Sequence, residues 1–339
     1  MTQTVLVTGG NGFVASWCIA DLLRRGYRVR TTVRHPDRAG PLVEALARQG
    51  VPTGPLSVHA ADLTHDAGWA EAVQGCDYVL HVASPLGIAG NSDPEALATA
   101  ARDGTLRVLR AAVAANVRRV VMTSAATTAT PPLQSADSLS DESVWFDPDE
   151  ADVDGYRRSK RLAERAAWEF MKTQGGGTEL VTVLPGAVFG PLLTSQSIGS
   201  VEVIAKLLRG ELPALPRLGL EVVDVRDLAD IHVRAMTTPD IGGQRFLAVG
   251  EFLWMRDIAA VLRAQLGVLA ADVPTRVMPD WVFRLLARVQ PQMRAMVPRL
   301  GRQHCHNWQK ARIELGWSAR PARLTVLDCA RSLHKAGLA

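Results

Sequence analysis

The residues best equipped for chemistry are Tyr156 and Lys160, spaced Tyr-x-x-x-Lys in a chain that holds only 3 Tyr and five Lys. At that composition a chance pair of this spacing arises about 0.04 times per chain, so the spacing is a signal. On a helix, positions i and i+4 project from one face. A phenol beside a buried ammonium has its ionised form stabilised, so its pKa falls from about 10 towards working pH. Such a pair can exchange a proton with a substrate oxygen. The bland alternative is an incidental surface pair.

The second chemistry-bearing segment is Val5-Leu6-Val7-Thr8-Gly9-Gly10-Asn11-Gly12-Phe13-Val14-Ala15, a strand-like run that breaks into glycines and restarts as a helix. The Gly9-x-x-Gly12-x-x-Ala15 turn lets backbone approach a ligand, and the helix N-terminus offers N–H groups to a pyrophosphate. Gly9, Asn11, Gly12, Phe13 and Val14 are therefore candidate dinucleotide contacts, with a plain glycine-rich connector as the competing reading. About 20 residues past such glycines an acid would hold a ribose 2′-hydroxyl. This chain instead reads Arg28-Val29-Arg30-Thr31-Thr32-Val33-Arg34, and its first acid there is Asp37. Arginine favours a 2′-phosphate, so Arg34 predicts NADPH rather than NADH. Solvated surface roles for Arg30 and Arg34 are the alternative. Asp62 and Leu63 follow the third strand and could face the adenine amino group.

These groups need elements to position them. Residues 4–8, 27–34, 56–60, 78–83 and 119–123 read as short strands, separated by helical patterns over 13–25, 40–49 and 94–115. Continuous apolar strands joined by helices predict an α/β fold with a parallel sheet covered on both faces. A helix starting near Tyr156 carries the Tyr–Lys pair, ends at Gly175-Gly176-Gly177 and precedes a strand over 180–184. Beyond Pro185 the elements shorten, which predicts a smaller C-terminal portion laid against the sheet. The Pro-, Ser- and acid-rich stretch 130–154 reads as a long surface loop, a length that favours function.

Composition excludes several classes. With 339 residues, 47% hydrophobic and 21% charged, the chain is globular rather than disordered. No apolar run reaches the roughly 18 residues of a membrane span, so a soluble, cytoplasmic protein with no membrane partner is expected. The four Cys are scattered without a Cys-x-x-Cys, which argues against disulfides and structural zinc. A net charge of +4 spread along the chain gives no nucleic-acid signature. His304-Cys305-His306 has no evident third ligand, so no metal site is predicted. Asp77, His81 and Ser84 lack a nucleophile elbow and are set aside as a hydrolytic triad. The apolar, Met-bearing region around Trp281, Met293 and Met296 reads as core or pocket wall.

Thr8 to Trp17, Thr32-Val33-Arg34, Asp62-Leu63, His81-Val82-Ala83-Ser84-Pro85, Gly104-Thr105-Leu106, Tyr156-Arg157-Arg158-Ser159-Lys160, Pro185 to Pro191, Val223 to Asp230 and Ala311 to Trp317 stand in order along most of the chain. Together they resemble the extended short-chain dehydrogenase/reductases, most closely the dihydroflavonol 4-reductase-like carbonyl reductases. The resemblance implies a Rossmann-type doubly wound sheet over residues 1–185 with about 221–237. It implies a smaller α/β substrate-binding portion over about 186–220 and 238–339. It further implies Tyr156 as acid/base, Lys160 on the nicotinamide ribose, Val82, Ala83 and Ser84 in the cofactor cleft, and Pro185 to Val188 near the nicotinamide. One departure matters: the family places a catalytic Ser or Thr where this chain has Ala125, within Thr123-Ser124-Ala125-Ala126-Thr127-Thr128. Ser124 is the expected substitute, with Thr127, a bridging water, or weak catalysis as the other readings.

The expectation is an NADPH-dependent reductase of a small-molecule aldehyde or ketone, hydrophobic or aromatic in character, acting as monomer or homodimer. A nucleotide-sugar epimerase or dehydratase with tightly held NAD, and a cofactor-sensing binding protein, are the alternatives.

Overall fold

Strands with no polar face must be covered on both sides. In the computed structural model, which describes residues 2–85, 94–131, 137–145, 155–195 and 199–339, they are. The first part of the chain alternates β1 (Thr4–Thr8), α1 (Phe13–Arg24), β2 (Arg28–Val33), α2 (Gly40–Arg48), β3 (Leu56–Ala60), α3 (Trp69–Val73), β4 (Tyr78–His81), α4 (Pro94–Ala114) and β5 (Arg119–Thr123). It continues through β6 (Leu139–Ser140), α5 (Gly155–Gln174), β7 (Glu179–Pro185), β8 (Ala187–Phe189), α6 (Glu202–Leu208), β9 (Gly219–Asp224), α7 (Val225–Thr237) and β10 (Arg245–Ala248). The last part holds β11 (Phe252–Trp254), α8 (Met255–Leu266), α9 (Asp280–Val289), α10 (Pro291–Arg294), β12 (Cys305–His306), α11 (Gln309–Leu315) and α12 (Ala322–Lys335).

Seven parallel strands lie in the order β10-β7-β5-β4-β1-β2-β3. Because side chains alternate across a strand, Val5 and Val7 of β1 enter the core shared with α1, α2 and α7, while Leu6 enters the core under α3, α4 and α5. The strand order reverses between β1 and β4. Their carboxyl ends therefore open a crevice of the kind where doubly wound sheets bind ligands.

A second sheet, β11-β9-β8, carries the C-terminal portion. Trp317 is buried and its indole donates to the Asp227 carbonyl at 2.8 Å, which ties the C-terminal segment to α7. Two segments sit differently from the expected division. β10, expected in the substrate portion, instead extends the main sheet beside β7, while β9 belongs to the second sheet. The stretch expected as a surface loop is also more structured where it is described. β6 pairs in parallel with β12, and buried Glu142 accepts the Leu247 N–H at 2.9 Å.

Candidate active site

The glycine turn closes by its own backbone, Gly12 N–H donating to Gly9 at 2.8 Å and Gly10 N–H to Thr32 at 2.9 Å. Gly9 has a φ of +75°, and a Cβ there would stand 3.0 Å from the Ala83 Cβ; a Cβ on Gly10 would collide with Thr31. Gly12 caps α1 with no side-chain bond, and the first turn holds no acid. The turn thus presents bare helix N–H groups at the crevice, suited to an anion. Asn11 donates to the Arg38 carbonyl at 3.3 Å, while its Oδ1 is buried without a partner among the described residues. Phe13 is buried in the core, and Val14 packs against it. A pyrophosphate-bearing dinucleotide fits this turn.

Val82, Ala83 and Ser84 follow β4 half-buried beside the turn. Thr8, fully buried at the end of β1, accepts the N–H groups of Val82 at 3.1 Å and Ala83 at 2.9 Å. At the end of β2, Arg34 is exposed. Arg30 is occupied within the fold, since its guanidinium donates to the Gln74 carbonyl at 2.6 Å, just past the end of α3. Asp62 accepts the N–H and hydroxyl of Thr64, both at 2.8 Å. Burial works to raise its carboxyl, but those two bonds and the nearby Arg34 charge hold it below the usual carboxylate range. Leu63 lies against Gly104, where a Cβ would crowd it. Buried Pro185 ends β7, and Val188 lies in β8.

Tyr156 and Lys160 sit in the first turns of α5, Tyr156 39% exposed and Lys160 7%. The Lys160 ammonium donates to the Thr123 carbonyl at 3.2 Å, so the end of β5 fixes its position. Burial pushes this ammonium down to about 8, with the Glu164 carboxylate one turn on acting in the opposite sense. Burial, and then the Lys160 charge, push the His81 ring down to about 3. His81 contacts Thr8 and Thr105, not Asp77, which accepts the Thr4 N–H.

The NAD dependent epimerase/dehydratase family matches residues 5–250, from the glycine turn through β10. The chain belongs to this family. Cinnamoyl-CoA reductase 1 of Petunia hybrida is 38% identical over 265 residues, 77% of this chain and 76% of that protein. Dihydroflavonol 4-reductase of Zea mays is 32% identical over 281 residues, 80% of this chain and 76% of that protein. The crystal structure of yeast methylglyoxal/isovaleraldehyde reductase Gre2 complexed with NADPH superposes with a TM-score of 0.81 at 26% identity, covering 99% of this chain and 100% of that one.

Within this epimerase/dehydratase scaffold the turn after β5 is where the chain departs from expectation. Ala125 is buried and has no hydroxyl. Ser124, expected to replace it, is turned elsewhere: its Oγ donates to Glu164 Oε2 at 2.6 Å, so its one proton is committed to a buried carboxylate. Thr127 differs. Its Oγ1 is buried with no hydrogen-bond partner among the described residues, while its carbonyl accepts from Arg161 on α5 at 3.1 Å.

Sequence reasoning missed Glu164, Arg245 and His232. Arg245 reaches Glu164 from β10 at 3.0 Å, and His232 of α7 lies 2.7 Å from the Thr123 hydroxyl. Only Glu164 left a trace, standing four residues after Lys160 on the same helical face. His306, next to Cys305, is held by both oxygens of Glu221 and by Thr130, which lies 3.0 Å from its Nε2. Among the described residues no three His, Cys, Asp or Glu side chains gather as a metal site, and no helix is long and apolar enough to cross a membrane.

Proposed function

We propose that the protein reduces an aldehyde or ketone to the alcohol with NADPH. The observation that carries this reading is the Tyr156–Lys160 pair: an exposed phenol one helical turn from a buried ammonium that the Thr123 carbonyl holds. The reductases similar to this chain, among them a structure complexed with NADPH, support the same chemistry. Gly9, Asn11, Gly12, Phe13 and Val14 would hold the pyrophosphate, Arg34 the 2′-phosphate and Asp62 with Leu63 the adenine. Val82, Ala83, Ser84, Pro185 and Val188 would line the nicotinamide side. When bound, NADPH supplies the hydride.

The remaining work falls to the chain. Tyr156 gives its phenolic proton to the carbonyl oxygen as charge develops there. Lys160 stabilises the resulting phenolate and orients the ribose. Thr127 donates a hydrogen bond to the same oxygen in place of the hydroxyl missing at Ala125. This role goes to Thr127 because its hydroxyl is unpartnered among the described residues, whereas that of Ser124 is committed to Glu164. A hydrophobic or aromatic carbonyl compound is the proposed substrate class.

The test is NADPH oxidation, followed by absorbance, with a panel of aromatic and aliphatic aldehydes and ketones. Tyr156→Phe should lower turnover by about 10²–10⁴-fold while leaving NADPH affinity near that of the parent. A Tyr156→Phe enzyme as fast as the parent would overturn the reading.

A further inference from the structure

Tyr156, Lys160 and Glu164 recur every four residues on α5 and so share one face of the helix. Glu164 exposes no surface, yet its carboxylate gathers donors from three other elements. Ser124 Oγ reaches it at 2.6 Å from the turn after β5, Thr182 Oγ1 at 2.9 Å from β7, and Arg245 Nε at 3.0 Å from β10. Arg245, itself buried, donates onward to Thr128 Oγ1 at 3.0 Å and to the carbonyls of Glu142 at 2.7 Å and Val144 at 2.9 Å. Its guanidinium carbon also lies 3.8 Å from the ring centroid of Trp145. A buried ion pair that served only packing would be replaceable by apolar side chains of similar volume. This pair is placed otherwise: it stands one turn from buried Lys160 and grips the turn that carries Ala125 and Thr127.

We propose that Glu164, paired with Arg245, is a positioning residue of the reduction site: its carboxylate keeps Lys160 charged and anchors the turn after β5 through Ser124. The assignment rests on reading Tyr156 and Lys160 as the proton-transfer pair. Among the described residues, the charged and titratable groups around Lys160 are Tyr156 and Glu164 on α5, the latter paired with Arg245 of β10, and His81 on β4, with His232 of α7 reaching the neighbouring Thr123 hydroxyl. Burial drives both histidines down, His81 to about 3 and His232 to about 4, so both are neutral at working pH. Among the described residues, Glu164 is the negative charge opposing the burial that strips Lys160 of its proton. Without that charge the lysine deprotonates more readily, and the phenol of Tyr156 loses its cationic neighbour.

Glu164→Gln keeps the volume and an acceptor oxygen for Ser124 but removes the charge. Because the chain has five lysines, ε-13C-lysine labelling allows the Lys160 titration to be followed by NMR, its signal assigned through Lys160→Arg. The Lys160 midpoint should fall by about one pH unit or more in Glu164→Gln and return towards the parent value in Glu164→Asp. The pH profile of kcat should move the same way, with the KM for NADPH changed by less than about threefold. A Glu164→Gln midpoint within about 0.3 pH units of the parent overturns the proposal. Ser124→Ala gives a second arm that keeps the ion pair: kcat should fall about tenfold with the Lys160 titration unmoved, and unchanged kcat would refute the anchoring role. The titration needs no turnover. A parent enzyme inert on the whole carbonyl panel would therefore sink the reductase reading, and with it this one, whatever Lys160 does.

Discussion

Thr8 Oγ1 lies 3.1 Å from His81 Nδ1 across the point where the strand order reverses. The same oxygen accepts the Val82 and Ala83 N–H groups, so one buried hydroxyl joins the glycine turn of β1 to the cleft segment after β4. Thr8→Val is nearly isosteric but leaves two half-buried N–H groups without their acceptor, a loss of about 1 kcal/mol or more in all. Urea unfolding should therefore show a loss of at least about 1 kcal/mol, while Thr8→Ser stays near the parent. Equal stability of Thr8→Val and the parent would mean that water satisfies these donors.

Acid should destabilise the fold before the carboxylates titrate. His81 and His232 are held at about 3 and about 4, burial being the first cause for each, against 6.5 in an unfolded chain. Between those values the unfolded chain binds more protons than the folded one, so stability is full above about pH 6.5 and falls as pH drops towards about 4. Each histidine should remove about 2 kcal/mol by pH 5. Urea midpoints measured from pH 7.5 to 5 should decline, and less steeply in His232→Gln. A flat profile across that range would show that these rings are not buried neutral.

What the sequence disclosed was local. The Tyr156–Lys160 spacing, the Gly9 to Ala15 turn and the periods of β1, β3 and β5 depend on residues a few positions apart, and those elements stand where the spacing predicts them. What stayed hidden was set by distant partners. Whether Arg30 meets a ligand or a carbonyl is decided by the end of α3, 44 positions away. The direction of Ser124 is fixed by Glu164, 40 residues on, and the ion partner of Glu164 is another 81 residues further. β10 reads as a short apolar run whichever sheet it joins, and only its pairing with β7 assigns it.

Cofactor choice should reside at the end of β2. Arg34 is exposed there beside Asp62, and the Asn11 side chain holds the backbone of Arg38 close to the glycine turn. A charge-assisted hydrogen bond to a 2′-phosphate contributes about 1.5–3 kcal/mol. Arg34→Ala should then raise the KM for NADPH about tenfold or more and leave that for NADH unchanged. Steady-state kinetics with both cofactors decide it: a parent enzyme with equal efficiency on the two, or a variant with unaltered preference, removes Arg34 from the phosphate site.

The hydroxyl that stands in for Ala125 can be found by paired substitution. Thr127→Val removes a buried hydroxyl that is unpartnered among the described residues, and Ser124→Ala removes one already donated to Glu164. If Thr127 donates to the developing oxyanion, Thr127→Val should cost about 10²–10³-fold in kcat with little change in substrate KM, and Thr127→Ser should recover much of it. Ser124→Ala should cost far less, because it loosens the turn without removing the donor. A larger loss in Ser124→Ala than in Thr127→Val would return the role to Ser124, whose hydroxyl would then have to leave Glu164 when substrate binds. Full activity in both variants would leave water, or Tyr156 alone, to stabilise the oxygen. The split between kcat and KM separates these cases, since a donor used only in the transition state lowers kcat and kcat/KM together.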